Sequence, residues 1–153
     1  MYIGNLAGLN DIVGMKEKVI NDPLSIFPQI ISFLRKDFQD CEFYIFGSRT
    51  KNKPCIKCDF DIAIVYQGNP VKFLQDHNLI NPEWRRKVKN YTGGKSLSGN
   101  NYYKSLSFIY AKEKEKEVEA YFSFMKNEYG KKIEVDIMFQ FQKQLDHRFI
   151  KYA

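Results

Sequence analysis

Apolar residues along the chain recur at helical spacing in some segments and gather into short strand-like runs in others. From Ser25 to Phe38 (SIFPQIISFLRKDF), Phe27, Ile30, Ile31, Leu34 and Phe38 fall on one side of a 3.6-residue repeat. Ser25 stands where an N-cap belongs and Pro28 in the first turn, where its missing N–H does no harm, so the pattern predicts a helix over 25–38. A shorter helix is expected over 12–21. CEFYIFG (41–47) reads as a strand closing on a glycine, and CDFDIAIVY (58–66) as a second strand. Residues 70–80 have weak helical character. YTGGKSLSGNN (91–101), rich in Gly, Ser and Asn, is expected to be a mobile loop, with SLSFIYA behind it as a core strand.

Residues 111–130 predict a further helix, with an apolar stripe of Val118, Tyr121, Phe122, Met125 and Tyr129 and with Gly130 as its C-cap. Its KEKEKE run is expected to be a solvated face laced by intrahelical ion pairs. KKIEVDIMFQ (131–140) predicts a third strand, and the tail a short helix or an edge element. No internal repeat or linker interrupts the 153 residues, so the expectation is one domain over 1–153. The fold class expected is α/β (α+β), a mixed β-sheet flanked by helices.

Two aspartates disturb the second strand. Side chains alternate along a strand, so Asp59 and Asp61 share one face with Ala63 and Val65, their Cα atoms roughly 6–7 Å apart. Carboxylates this close inside an apolar segment are costly unless one is protonated or a cation lies between them. Hard oxygen ligands suit Mg²⁺ or Mn²⁺. In the third strand Asp136 sits on the less apolar face, with Glu134 and Met138. If the two strands are neighbours with these faces together, Asp59, Asp61 and Asp136 form the triad that a two-metal phosphoryl-transfer site requires.

Composition changes this picture modestly. At 44% hydrophobic and 16% aromatic the chain is too apolar to be disordered. A formal net charge of +6 and a pI of about 9.1 tilt toward an anionic partner, though ordinary soluble proteins share such values. No apolar run is long enough for a membrane helix and no signal peptide opens the chain, so a soluble cytoplasmic protein without a membrane partner is expected. Three cysteines, Cys41, Cys55 and Cys58, fit a reduced compartment.

Gly47-Ser48 follows the first strand directly. A glycine there lets backbone approach a phosphate, the Ser48 hydroxyl can bind anionic oxygens, and Arg49, Lys51 and Lys53 add positive charge. A strand ending in Gly-Ser, a spacer, Asp-x-Asp followed by apolar residues, and a later strand aspartate together resemble the DNA polymerase beta-like nucleotidyltransferase superfamily. The resemblance covers roughly 25–66 and 131–140. It implies a palm-like fold in which Gly47 and Ser48, with Arg49 and Lys51 beside them, bind the triphosphate of an incoming nucleotide. It also implies that Asp59, Asp61 and Asp136 hold two Mg²⁺ (or Mn²⁺) ions and that Asp136 helps deprotonate an acceptor hydroxyl. The spacer RTKNKPCIKC departs from small bacterial members, which carry Ala-Arg-Gly after Gly-Ser-x and a serine before the first aspartate. The long interval from Asp61 to Asp136 looks closer to polymerase-like members.

Other features carry less. CIKC (55–58) could join a zinc site with Cys41 or a histidine, but no second CxxC accompanies it. His77 and His147 read as structural or surface residues, and Gly94-Lys95-Ser96 has Lys89 where a phosphate-binding loop needs glycine. From Trp84 to Lys112 run Arg85, Arg86, Lys87, Lys89, Lys95, Lys104 and Lys112 with no acidic residue, interleaved with tyrosines and Phe108. Such a mix can grip phosphates and stack on bases. Two classes of function remain open: a Mg²⁺-dependent nucleotidyltransferase acting on RNA, DNA, a partner protein or a small molecule, with a second subunit possible, or a silent module of that fold that binds nucleic acid or protein.

Overall fold

A computed structural model of the chain describes residues 19–20, 26–50, 58–94, 99–127, 132–141 and 145–152. In chain order the elements are β1 (Val19–Ile20), α1 (Phe27–Leu34), β2 (Cys41–Phe46), a 3-10 turn (Ser48–Thr50), β3 (Phe60–Tyr66), α2 (Pro70–Asp76), α3 (Pro82–Tyr91), α4 (Gly99–Tyr121), β4 (Lys126–Asn127), β5 (Val135–Phe141) and β6 (Ile150–Tyr152). Four strands form one mixed sheet in the order β5-β3-β2-β6. β3 runs parallel to β5 and antiparallel to β2, and β6 is antiparallel to β2. β1 and β4 make a separate parallel pair. The class is the expected one, a mixed sheet flanked by helices.

Strand alternation decides which side the helices cover. Phe60, Ile62, Ile64 and Tyr66 of β3 are buried together with Phe43 and Ile45 of β2, Val135 and Ile137 of β5, and Ile30, Ile31 and Leu34 of α1. Aromatic rings fill the wider gaps: Phe73 lies 5.1 Å from Phe139, and Tyr110 stacks on Phe139 at 5.5 Å. His77 joins this cluster, its Nδ1 3.2 Å from the Tyr110 hydroxyl. Burial holds its pKa below the usual histidine value, which suits a core residue.

The helices depart from expectation for local reasons. α1 stops at Leu34, yet the tighter turns after it still carry Phe38 into the core through its N–H bond to Leu34 O at 3.2 Å. Ser25 and most of the helix expected over 12–21 lie outside the described residues, and Val19–Ile20 is strand. α2 and α3 each begin with an Asn-Pro pair. The Asn69 side chain accepts the Lys72 N–H and that of Asn81 the Trp84 N–H, while each proline takes the first helical position.

The largest correction concerns 99–121. The expected loop end, core strand and helix are one helix of 23 residues. Leu106, Tyr110, Lys114 and Val118 follow one another at i+4 spacing, all on its buried side. Tyr121, expected in the stripe, is exposed, while Tyr129 and Gly130 lie outside the described residues. Nor is KEKEKE a solvated face throughout. Lys114 is buried with its ammonium 2.8 Å from Asp37, and Glu115 is buried against the sheet.

β5 is an edge strand, and α4 closes that edge with carboxylates. Glu119 accepts the Val135 N–H at 3.0 Å and Glu115 the Ile137 N–H at 2.8 Å. The match is geometric: four residues of helix rise about 6 Å and two residues of strand about 6.6 Å, so i+4 on one meets i+2 on the other. Unpaired edge N–H groups would otherwise offer themselves to another strand. Replacing Glu115 by Ala removes one acceptor and leaves a buried N–H, so it should cost about 1–3 kcal/mol. Glu113→Ala, which removes only a partly exposed pair with Lys87, should cost under about 1 kcal/mol. Thermal or urea unfolding of the two variants checks this, and equal effects would show that the edge contact contributes nothing.

Candidate functional site

Asp61 is the centre of the polar face. It lies in register with Asp136 on the parallel neighbour β5 and with Phe46 on β2. Neighbouring strands run about 4.8 Å apart, so these two aspartates stand side by side on the same face. Asp59 lies just before β3 and is exposed, as is Asp136, while Asp61 is half-buried. The second and third predicted strands are therefore neighbours with their aspartate faces together. Among the described residues no group of three or more His, Cys, Asp or Glu side chains converges closely enough to hold a metal ion.

Burial, the Asp136 charge and then the Asp59 charge push the Asp61 carboxyl up to about 6, against a slight opposing pull from Arg49. Gly47, at the end of β2, makes room for it. The Asp61 carboxylate fills the space that a Cβ on Gly47 would take: such an atom would stand 2.7 Å from Asp61 Cγ and nearer still to Oδ2. Gly47 also has φ +86°, a conformation that side chains rarely adopt. The positive φ calls for glycine at this position, and the bare Cα leaves the space that the Asp61 carboxylate takes.

After Gly47 the chain enters the 3-10 turn. Thr50 fastens it with two bonds to Gly47 O, one from its N–H at 3.1 Å and one from its hydroxyl at 2.8 Å. Ser48 is half-buried in this turn, directly after Gly47. Arg49 behaves differently from the expectation of a phosphate ligand. It is 1% exposed, its Nε donates to Cys58 O at 2.8 Å, and its guanidinium lies 3.8 Å from the centre of the Phe60 ring. This side chain ties the turn to the start of β3 and so positions both Asp59 and Asp61. Lys51 lies outside the described residues, as does Lys95.

The remaining expectations sort by place. Arg85, Arg86 and Lys89 are exposed on α3, away from the aspartates in the chain, whereas Lys87 is held by Glu113 at 2.7 Å and lies over the Trp84 ring. Cys41 is a free thiol, pushed up to about 11 by burial and by Asp40. Cys58 is disulfide-bonded, against the expectation of reduced cysteines throughout. Sequence reasoning missed Glu115, whose buried carboxylate is also raised, first by burial and in part by Asp136. The i+4 spacing of Glu115 and Glu119 was its available signal. Among the described residues no helix is long and apolar enough to cross a membrane. No family model, curated protein or solved structure matches the chain.

Asp61 holds its proton unusually well because it is half-buried beside a second carboxylate. Its own titration gives a test. Asp61 binds a proton more tightly folded than at its ordinary value of 3.8, so it favours folding below about pH 4, an advantage lost as pH rises through about 6. Solvent screening of a half-buried group reduces the effect to about 1 kcal/mol. Asp61→Asn should therefore raise the melting temperature by about 2–4 °C near pH 7.5 and leave it unchanged near pH 4. Differential scanning calorimetry at the two pH values measures this, and a loss of stability at both would refute it.

Proposed function

We propose that the chain is a metal-dependent nucleotidyltransferase that moves a nucleoside monophosphate from a nucleoside triphosphate to an acceptor hydroxyl. The observation that carries the reading is the side-by-side register of Asp61 and Asp136, with Asp59 at the head of the same strand and a Gly-Ser turn beside them. Mg²⁺ or Mn²⁺, two per site and held by Asp59, Asp61 and Asp136, would neutralise charge on both sides of the reacting phosphorus.

The chain's own groups would divide the work. The Ser48 hydroxyl and the backbone N–H groups of its turn bind the triphosphate oxygens. Arg49 keeps Cys58-Asp59-Phe60 in place from beneath and does not touch substrate. Asp136, exposed at the rim, takes the proton of the acceptor hydroxyl as its oxygen bonds to the α-phosphorus. The bond from that phosphorus to the bridging oxygen breaks in line, and pyrophosphate leaves. A polynucleotide end, a protein side chain and a small molecule all present the required hydroxyl.

A second reading, a silent module of the same fold that binds nucleic acid or protein, draws support from the three carboxylates not converging among the described residues. The two readings part in one assay. Nucleoside triphosphates radiolabelled at the α-phosphorus, each supplied separately with Mg²⁺ or Mn²⁺, are offered with RNA, DNA, protein and a small-molecule extract. Catalysis predicts label in one acceptor class, reduced to background by Asp61→Asn and by chelation of the metal. Absence of transfer to every class, together with metal-independent nucleotide binding, would sink the catalytic reading.

A further inference from the structure

α3 and α4 carry a second surface that owes nothing to the carboxylates. Tyr91, at the end of α3, is 56% exposed and Phe108, on α4, 45%, and their rings lie 5.6 Å apart in a tilted contact. Two large rings in contact with each other while each remains open to solvent bury little, so packing alone does not account for them. Lys104 and Lys112 flank Phe108 at i−4 and i+4 on the same helix face, and the Lys112 ammonium lies 5.1 Å from the Phe108 ring. Arg85, Arg86 and Lys89 are exposed on α3, and no ion pair among the described residues engages them or Lys104.

Charge fixes the sign of the occupant. On α3 and α4, Glu83 and Glu113 are both taken up by Lys87, which leaves Arg85, Arg86, Lys89 and Lys104 as an excess of positive charge that complements a polyanion. The open rings narrow it further. A folded acidic protein or a duplex offers phosphate or carboxylate charge but no free aromatic faces, whereas single-stranded nucleic acid offers both charge and bases that can stack. Not every aromatic of the basic segment takes part: Tyr110 is buried in the core, and Tyr102 and Tyr103 are half-buried against it.

We infer that the α3–α4 face binds single-stranded nucleic acid, with Tyr91 and Phe108 stacking on bases and Arg85, Arg86, Lys89 and Lys104 contacting phosphates. Glu115, which touches β5 beside Asp136, lies seven residues along α4 from Phe108, a rise of about 10 Å. The binding itself does not depend on the catalytic reading.

Fluorescence anisotropy with a labelled 12-nucleotide single strand, as DNA and as RNA, tests it, with a duplex of the same sequence for comparison. The full chain should bind the single strand more tightly than the duplex, and affinity should fall steeply between about 50 and 200 mM salt. Tyr91→Leu/Phe108→Leu, which keeps the apolar contact and removes the stacking faces, should weaken binding by about ten- to a hundredfold at any salt concentration. Arg85→Gln/Arg86→Gln/Lys89→Gln should instead flatten the logarithmic salt slope by about 2. Unchanged melting temperatures would show both variants folded, as expected for exposed sites. No binding at low salt, equal affinity for duplex, or indifference to loss of the rings would each overturn the inference.

Discussion

The arrangement turns on one carboxylate placed where the fold is least willing to hold it. Asp61 stands in a strand whose neighbours are all buried, beside a second carboxylate and close to a third. The surrounding chain is arranged to accept this. Gly47 vacates the volume that the Asp61 carboxylate fills, and its positive φ sends the chain away into the 3-10 turn. Arg49, at the centre of that turn, is itself fully buried, and its nearness lowers the cost of the Asp61 charge only partly. Stable folds do not retain an incompletely compensated buried charge for packing, since an apolar residue of similar size would serve better. Such sites recur where charge is put to chemical use.

The sheet edge shows the opposite use of the same side-chain type. Glu115 and Glu119 lend their oxygens to strand N–H groups, so these acidic residues complete backbone hydrogen bonding, and α4 becomes a lid on β5. Because β5 also carries Asp136, the helix that closes the edge fixes the strand on which that aspartate sits. Buried Lys114 pairs with exposed Asp37 and so ties the same helix to the turn after α1. Fold and candidate site thus share one scaffold: α4 holds β5, β5 presents Asp136, and β3 brings Asp61 into register beside it.

Much of this was legible in the sequence where period and chemistry agreed. The three core strands and α1 follow from alternation and from 3.6-residue spacing, and the pairing of Asp61 with Asp136 follows once β3 and β5 are adjacent. The long helix α4 was not legible, because SLSFIYA has the composition of a strand and its Gly-Ser-Asn prelude that of a loop. Only the i+4 chain from Leu106 to Val118 reveals the helix, and it passes through Lys114, a residue expected outside. The Asn-Pro starts of α2 and α3 were present but underused. The placement of Arg49 is not legible for a different reason: a basic residue beside a Gly-Ser turn suggests phosphate, and nothing local in the sequence tells that the side chain folds inward onto Phe60. Tertiary burial decides that, and a linear pattern does not carry it.

Direct titration of Asp61 probes the strained carboxylate itself. Carbon-detected NMR of the side-chain carboxyl resonances, with Asp61 assigned by the signal missing in Asp61→Asn, should give a midpoint near 6 without divalent ions. Adding Mg²⁺ should lower that midpoint by more than about one unit, because a nearby cation favours the charged form. A midpoint close to the ordinary value of 3.8, or one that Mg²⁺ leaves in place, would contradict the view that Asp61 is held as an uncompensated charge for metal-assisted chemistry.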